Sequence, residues 1–284
     1  MADYPKLPES MNKVIESAAK LQSLVPGAIL VGGSAALEPV NDLGAMNALA
    51  IFSYFFVKKP RFRTTKPTFF ALNYEKIARK FISLEIVNRL LVHAGHRYSI
   101  NHDHVVNDLD QRFNIIFDAV ASDRGWSTFQ AVQDKIILGR LDGVEAGIRQ
   151  LRRKAPLETE IYHLDNEHKV VIPTIEETLR VKAYFIVNRN QVRDYLDVIA
   201  ITDRFGIKGS TEVLLEIDSY YEDMQKYENS ISSELIERLS DPNPKDSRSI
   251  PQLKTYKGLK ESYTNWEYLT QKSKKLAKEM IINA

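Results

Sequence analysis

No cysteine occurs in the 284 residues of this chain. That absence excludes disulfides, thiolate nucleophiles and sulfur-ligated zinc, and leaves oxygen and imidazole as the available metal ligands. Oxygen ligands favour magnesium or manganese. Charge of one sign is equally scarce: 39 Lys and Arg stand against 37 Asp and Glu, a formal net charge of +2, so any attraction for nucleic acid or an anionic surface has to come from local clusters. The apolar run AMNALAIFSYFFV at 45–57 falls short of the ~20 residues that span a bilayer. The amino-terminal MADYPKLPESMNKVIESAAKL lacks the basic-then-apolar order of a signal peptide. A cytoplasmic protein with no membrane partner is expected. What the chain does have is 44% hydrophobic residues, enough to bury a core and to form two domains.

Apolar residues at helical spacing behind Ser10 predict a helix over 10–24, ended by Pro26-Gly27, and AILVGGSAA predicts a strand that runs into a turn. From 96 to 172 the pattern is mixed: a strand over YSINHDHV, a helix over DLDQRFNIIFDAVASDRG, and strand-like DKIILGRL, GVEAGIRQL, LETEIYHL and KVVIP. From Thr174 onward the chain reads as helical. TIEETLRVKAYFIVNR opens with a Thr-x-x-Glu capping box, VRDYLDVIAITDRFG supplies a second helix, and two long helices flank SDPNPKDSRS. Strands followed by helices imply an α+β fold, with a small mixed sheet over 1–172 and a helical domain over 173–284.

Two stretches carry chemistry. In RYSINHDH the strand period puts Asn101 and Asp103 on one face, the way a strand presents a ligand pair to a metal. His102 faces the other way, which counts against a histidine–aspartate metal site. The turn Gly32-Gly33-Ser34 can offer backbone N–H groups and a hydroxyl to a phosphate, although such turns are also common as plain strand-to-helix connections. A phosphate turn on one strand and a ligand pair on the next is the layout of metal-assisted phosphoryl transfer.

The pieces LVGGSAA, GHRYSINHDH, IPTIEETLRVKAYFIVNRN and QVRDYLDVIAI resemble the AbiEii-type nucleotidyltransferases, toxins of type IV toxin–antitoxin systems in the polymerase-β-like superfamily. The resemblance covers 24–37 and 91–206. It implies a nucleotidyltransferase-type sheet and magnesium-dependent (or manganese-dependent) transfer of a nucleotide from an NTP to RNA, with tRNA as the acceptor and an antitoxin protein as a partner. Gly32, Gly33 and Ser34 fall on the triphosphate turn, and Arg97 and Ser99 on residues that support the metal strand or the phosphates. Asn101 and Asp103 fall on the two metal carboxylates. Lys182 falls on a helical lysine that contacts the nucleotide, and Asp197 on the final acid of Arg-Asp-x-x-Asp. Glu145 and Glu158 both stay open as the third acid.

Two departures qualify that resemblance. Asn101 stands where the pattern has aspartate; an amide offers one neutral oxygen and cannot bridge two cations, so catalysis is expected to be weakened, and an inactive nucleotidyltransferase-like binding or regulatory module is the alternative. The second is the segment 38–90, which interrupts the family element and reads as an insertion. Its basic residues are interleaved with aromatics, a composition that suits either packing or single-stranded RNA. The cluster Arg149, Arg152, Arg153 and Lys154 reads either as a solvated edge or as an RNA-facing surface. Asp194 shares a helix face with Asp197 and reads either as its partner or as a surface acid.

Overall fold

Successive residues of a strand face opposite ways, and the sheet of this protein is organised by that rule at residues 101–106. A computed structural model describes residues 9–31, 101–163, 169–224, 229–256 and 259–284. In it α1 (Glu9–Leu24) is followed by β1 (Ile29–Leu30), β2 (Asn101–Val106), α2 (Leu109–Ala121), β3 (Trp126–Val132), β4 (Ile136–Leu141) and β5 (Val144–Gln150). A hairpin of β6 (Thr159–His163) and β7 (Lys169–Pro173) comes next. The helices are α3 (Ile175–Asn188), α4 (Val192–Phe205), α5 (Ile207–Leu215), α6 (Ile217–Tyr220), α7 (Ile231–Ser240) and α8 (Trp266–Asn283). The fold is α+β, as the sequence pattern implies. The turn Gly32-Gly33-Ser34, the residues Arg97 and Ser99, and the segment 38–90 lie outside the described residues.

The five-stranded sheet runs β1-β2-β5-β4-β3, with β2 and β5 parallel and the other neighbours antiparallel. On one face Val106, Ile137, Leu141, Ala146 and Ile148 pack under α1 and α2, whose Leu21, Val25, Leu109, Phe113, Ile116 and Val120 close the core. Full burial of such side chains stabilises by about 1.5–3 kcal/mol each. The same α1 also covers the hairpin: Val14, Ile15 and Ala18 meet Tyr162, Val170 and Ile172, while the Gln22 amide exchanges hydrogen bonds of 2.8 and 2.9 Å with the backbone of Val171.

Two sequence expectations are corrected here. The helix expected to run through Gly125 ends at Ala121, and Trp126–Val132 is a strand that the pattern missed. Residues 127–131 are all exposed and the register shifts between Thr128 and Gln130, so this edge strand shows no apolar alternation to read. The carboxy-terminal region holds three short helices, 3-10 turns at Ser247–Thr255 and Glu261–Thr264, and one long helix, in place of two long ones. Gly206, with φ of 94°, breaks α4 from α5 in a left-handed conformation that glycine adopts without strain.

Helix α3 begins at the Thr174 cap, whose hydroxyl accepts from the Glu177 N–H at 3.2 Å. Only that half of the expected capping box forms. Glu177 turns away to two arginines, and the Thr174 N–H donates to the Glu158 carbonyl instead (3.0 Å). Asn190, at φ 54°, turns the chain into α4 and accepts the Tyr195 hydroxyl at 2.7 Å. The packed helices then face each other across a buried ion pair, Lys182 Nζ to Asp197 Oδ2 at 3.1 Å, with side chains 2% and 0% exposed.

Breaking a buried pair by removing one partner costs about 3–5 kcal/mol, because the other charge is stranded in a low dielectric. Lys182→Ala should therefore lower the melting temperature by roughly 6–20 °C. The double variant Lys182→Met/Asp197→Leu should recover most of that loss, as read by thermal unfolding followed by circular dichroism.

His102 and His104 lie on the α1 side of β2, both fully buried, with ring centroids 5.2 Å apart. Ser17 Oγ gives its proton to the Leu141 carbonyl (3.1 Å), so the His102 Nε2 at 3.0 Å is the donor toward it. Neither ring nitrogen of His104 has a hydrogen-bond partner among the described residues. Burial pulls the His102 imidazole down to about 3 from the usual 6.5, and His104 well below 6.5, with His102 adding to the effect. A depressed histidine means that the unfolded chain binds protons the fold refuses, so stability rises with pH between about 3 and 6.5. His102 contributes up to about 1.4 kcal/mol per pH unit there, and His104 acts in the same direction. Urea midpoints at about pH 7.5 and about pH 5 should differ less in His104→Leu than in the parent protein.

Candidate functional site

Asn101 and Asp103 share a sheet face, as their spacing predicts. Parallel pairing sets Glu145, Gly147 and Arg149 of β5 opposite Asn101, Asp103 and Val105 on that same face. Gly147 is required at its position: a Cβ there would stand 2.2 Å from Asp103 Oδ1. Burial pushes the Asp103 carboxyl up, Arg149 and Lys182 pull it down, and Glu145 adds to the upward push. The Arg149 Nε lies 3.6 Å from Asp103 Oδ1, an ion pair slightly too long for a hydrogen bond. Of the two acids left open by the sequence, Glu145 reaches this face and pairs there with Arg140 at 3.4 Å. Glu158 instead accepts from Tyr220 and Arg180, which hold its carboxyl below the usual range.

No group of three histidine or acidic side chains among the described residues comes together as a metal site. An amide and a carboxylate already faced by arginine do not fit the magnesium or manganese ions expected from the sequence. Lys182 and Asp197 are brought together, but in the helical interior. Lys182, expected to contact a nucleotide, has a side chain 2% exposed and pairs with Asp197. Asp194, read as either a partner of Asp197 or a surface acid, is neither; it is fully buried, where it accepts from Arg189 Nε at 2.9 Å and completes the α4 cap through the Gln191 N–H.

Beside Asp103 the same sheet face ends in an apolar cavity that the sequence motifs did not reveal. Val105, Leu157, Val181 and Phe185 are among its walls, which come from β2, the loop after β5, α3 and the turn at Tyr221–Met224. Its volume is about 60 Å³, and a water needs about 10–15 Å³ of such space, so roughly four to six water-sized groups fit. Arg152 and Arg153 line it, and no carboxylate does among the described lining residues.

One wall is fixed by a buried charge cluster. Glu177, with its side chain 0% exposed, takes Arg153 Nη2 at 2.8 Å on one oxygen and Arg180 Nη1 at 3.0 Å on the other. Arg153 also donates to the carbonyls of Ala155 and Pro156, both at 2.9 Å, and lies over the Tyr221 ring. Arg180 stacks on Tyr220, 3.8 Å from the ring centroid. The arginine cluster seen in the sequence is thus divided: Arg153 is a buried brace, Arg149 is half-buried against Asp103, and Arg152 stays exposed at the cavity. Spacing alone could not separate them.

No family model matches the chain, and no solved structure matches it. Similarity is found to three differently named relatives: the probable transport protein MmpL11 of Mycobacterium leprae and the heme uptake protein MmpL11 of Mycobacterium tuberculosis, each 36% identical over 95 residues, and the mycolic acid-containing lipids exporter MmpL11 of Mycolicibacterium smegmatis, 31% identical over 100 residues. These matches cover 34–35% of this chain and 9–10% of the relatives, so the chain spans about a tenth of the length of the curated relatives it matches. No helix among the described residues is long and apolar enough to cross a membrane. The transport names overturn the AbiEii resemblance and what it implied: a nucleotidyltransferase enzyme, a toxin–antitoxin role, an inactive module of the same kind, and NTP, tRNA and antitoxin partners. The geometry agrees with that correction, since Lys182 is buried and Asp103 is tied to Arg149. By sequence this chain is similar to part of a transport protein.

Proposed function

We propose that the protein binds the hydrocarbon part of an amphipathic molecule and serves a transport process as a binding component. The observation that carries this reading is the apolar cavity between the sheet and α3, whose walls include Val105, Leu157, Val181 and Phe185. The word lipids in the name of one relative supports it from outside. Space for roughly four to six water-sized groups suits a few methylenes. A haem, the cargo in another relative's name, is a planar macrocycle far larger than that space, and no histidine stands among the described lining residues.

Each buried methylene contributes about 0.8 kcal/mol, close to a fourfold gain in affinity. Titration calorimetry with butanoate, hexanoate, octanoate and decanoate, each below its micelle concentration, should show affinity rising by about that factor per methylene and levelling once the cavity is full. Leu157→Trp, which places an indole in the space, should weaken octanoate binding at least about tenfold; because Leu157 is itself buried, the larger side chain should also cost about 1–3 kcal/mol of stability, read separately by thermal unfolding. Affinity that is independent of chain length would sink the reading.

A further inference from the structure

We infer that the ligand of this cavity carries an uncharged carbonyl oxygen, as in an ester or a ketone, and that Arg153 Nη1 donates to it. The inference rests on the cavity reading above and adds the chemistry of the ligand's polar point. Arg153 lines the cavity with its side chain 2% exposed. Its Nε donates to the Ala155 carbonyl, and Nη2 serves the Pro156 carbonyl and Glu177 Oε1. Nη1, buried with them, has no hydrogen-bond partner among the described residues. A guanidinium is planar and holds its donors in one fixed fork, so the loop carbonyls occupy one edge and Nη1 stands on the other. A buried donor without a partner has lost its water and gained nothing in return. An acceptor carried in by a ligand supplies what the fold omits.

The other polar groups of the lining are engaged. The Gln150 amide nitrogen donates to the carbonyls of Asn107 and Leu151, both at 2.9 Å, and its oxygen accepts from the Asp110 N–H at 3.1 Å. Arg152 and Asn188 each have an interaction of their own. The Tyr221 ring lies 4.9 Å from the Arg153 Cζ, and Arg153 pulls its hydroxyl down against the upward push of burial, yet Nη1 finds no hydrogen bond there. Charge decides between a neutral and an anionic acceptor. Arg153 and Arg180 stand in contact with Glu177 and Glu158, two cations against two anions. A ligand carboxylate would add a charge that nothing in this cluster balances, beside a mostly apolar cavity. A carbonyl adds an acceptor and no charge.

The experiment uses the full chain, with methyl hexyl ketone isotope-labelled at its carbonyl and octanoate as probes. Infrared difference spectra should show the bound carbonyl at lower frequency than the same ketone in hexane, the mark of a hydrogen bond received. By calorimetry the ketone should bind at least about tenfold tighter than octanoate. Arg153→Met paired with Glu177→Gln removes the donor together with the acid it balances and leaves Arg180 with Glu158. In that double variant, checked for folding by thermal unfolding, the band should return to its hexane position and ketone affinity should fall about tenfold. Tyr221→Phe and Asn188→Ala leave Nη1 in place, so the shifted band should remain in both. Its loss in either would overturn the assignment to Arg153, whether or not the double variant folds, and so would its survival in a folded double variant. A bound carbonyl at the hexane frequency in the parent protein, or octanoate binding as tightly as the ketone, would overturn the uncharged carbonyl and leave the cavity reading standing. Binding of neither probe would remove the cavity reading and this inference together.

Discussion

Glu177 is fully buried between two arginines, and the arrangement of both halves of the described structure follows from satisfying it. A carboxylate out of water is tolerated only when its charge is balanced. Arg180, one turn along the same helix, supplies one partner locally. Arg153 supplies the other from the loop after the sheet, so the loop is drawn against the helix by the helix's own acid. Because Arg153 also holds two carbonyls of that loop and stacks over Tyr221, one ionic contact sets the loop, the start of α3 and the turn after α6 together. The cavity is the space these three leave beside Val105.

The two buried charge clusters divide the labour. The Arg153–Glu177–Arg180 group joins the sheet region to the helices, whereas Lys182 and Asp197 join α3 to α4 within the helical layer. Both place opposite charges in contact inside the packed helices, where neither partner reaches water. Lys182 and Asp197, which look like active-site chemistry in the sequence, pair with each other in the interior, and the cavity open beside them is mostly apolar.

Much of the architecture was legible from local pattern. The period of two in NHDHVV correctly put Asn101 and Asp103 on one face, and Thr174 was readable as a helix cap. What local pattern could not supply was the partner. The signal Thr-x-x-Glu was present, but the Glu177 side chain is claimed by an arginine far along the chain. Lys182 in VKAYFIV is compatible with a solvent-seeking lysine or a buried one, and the choice depends on Asp197 of the next helix. β3 went unseen because an exposed edge strand has no buried face to leave a trace. The cavity went unseen because its walls come from separate segments, none of which carries a motif of its own. The AbiEii resemblance joined correctly read local elements to a chemistry that the transport relatives do not share.

Strand β2 has one further consequence. Its odd-numbered residues put an amide, a carboxylate and a valine toward the arginines and the cavity, and its even-numbered residues put two uncharged histidines and a valine toward α1 and α2. A slip of one residue in pairing would exchange these sets. Asp103 would then enter the hydrocarbon of α1 and α2 with no cation to meet it, and a histidine would take its place beside Arg149. Such a misaligned sheet is excluded by electrostatics on one face and by desolvation on the other. The central strand therefore acts as a ruler for the assembling chain, with its alignment set by polarity as well as by shape.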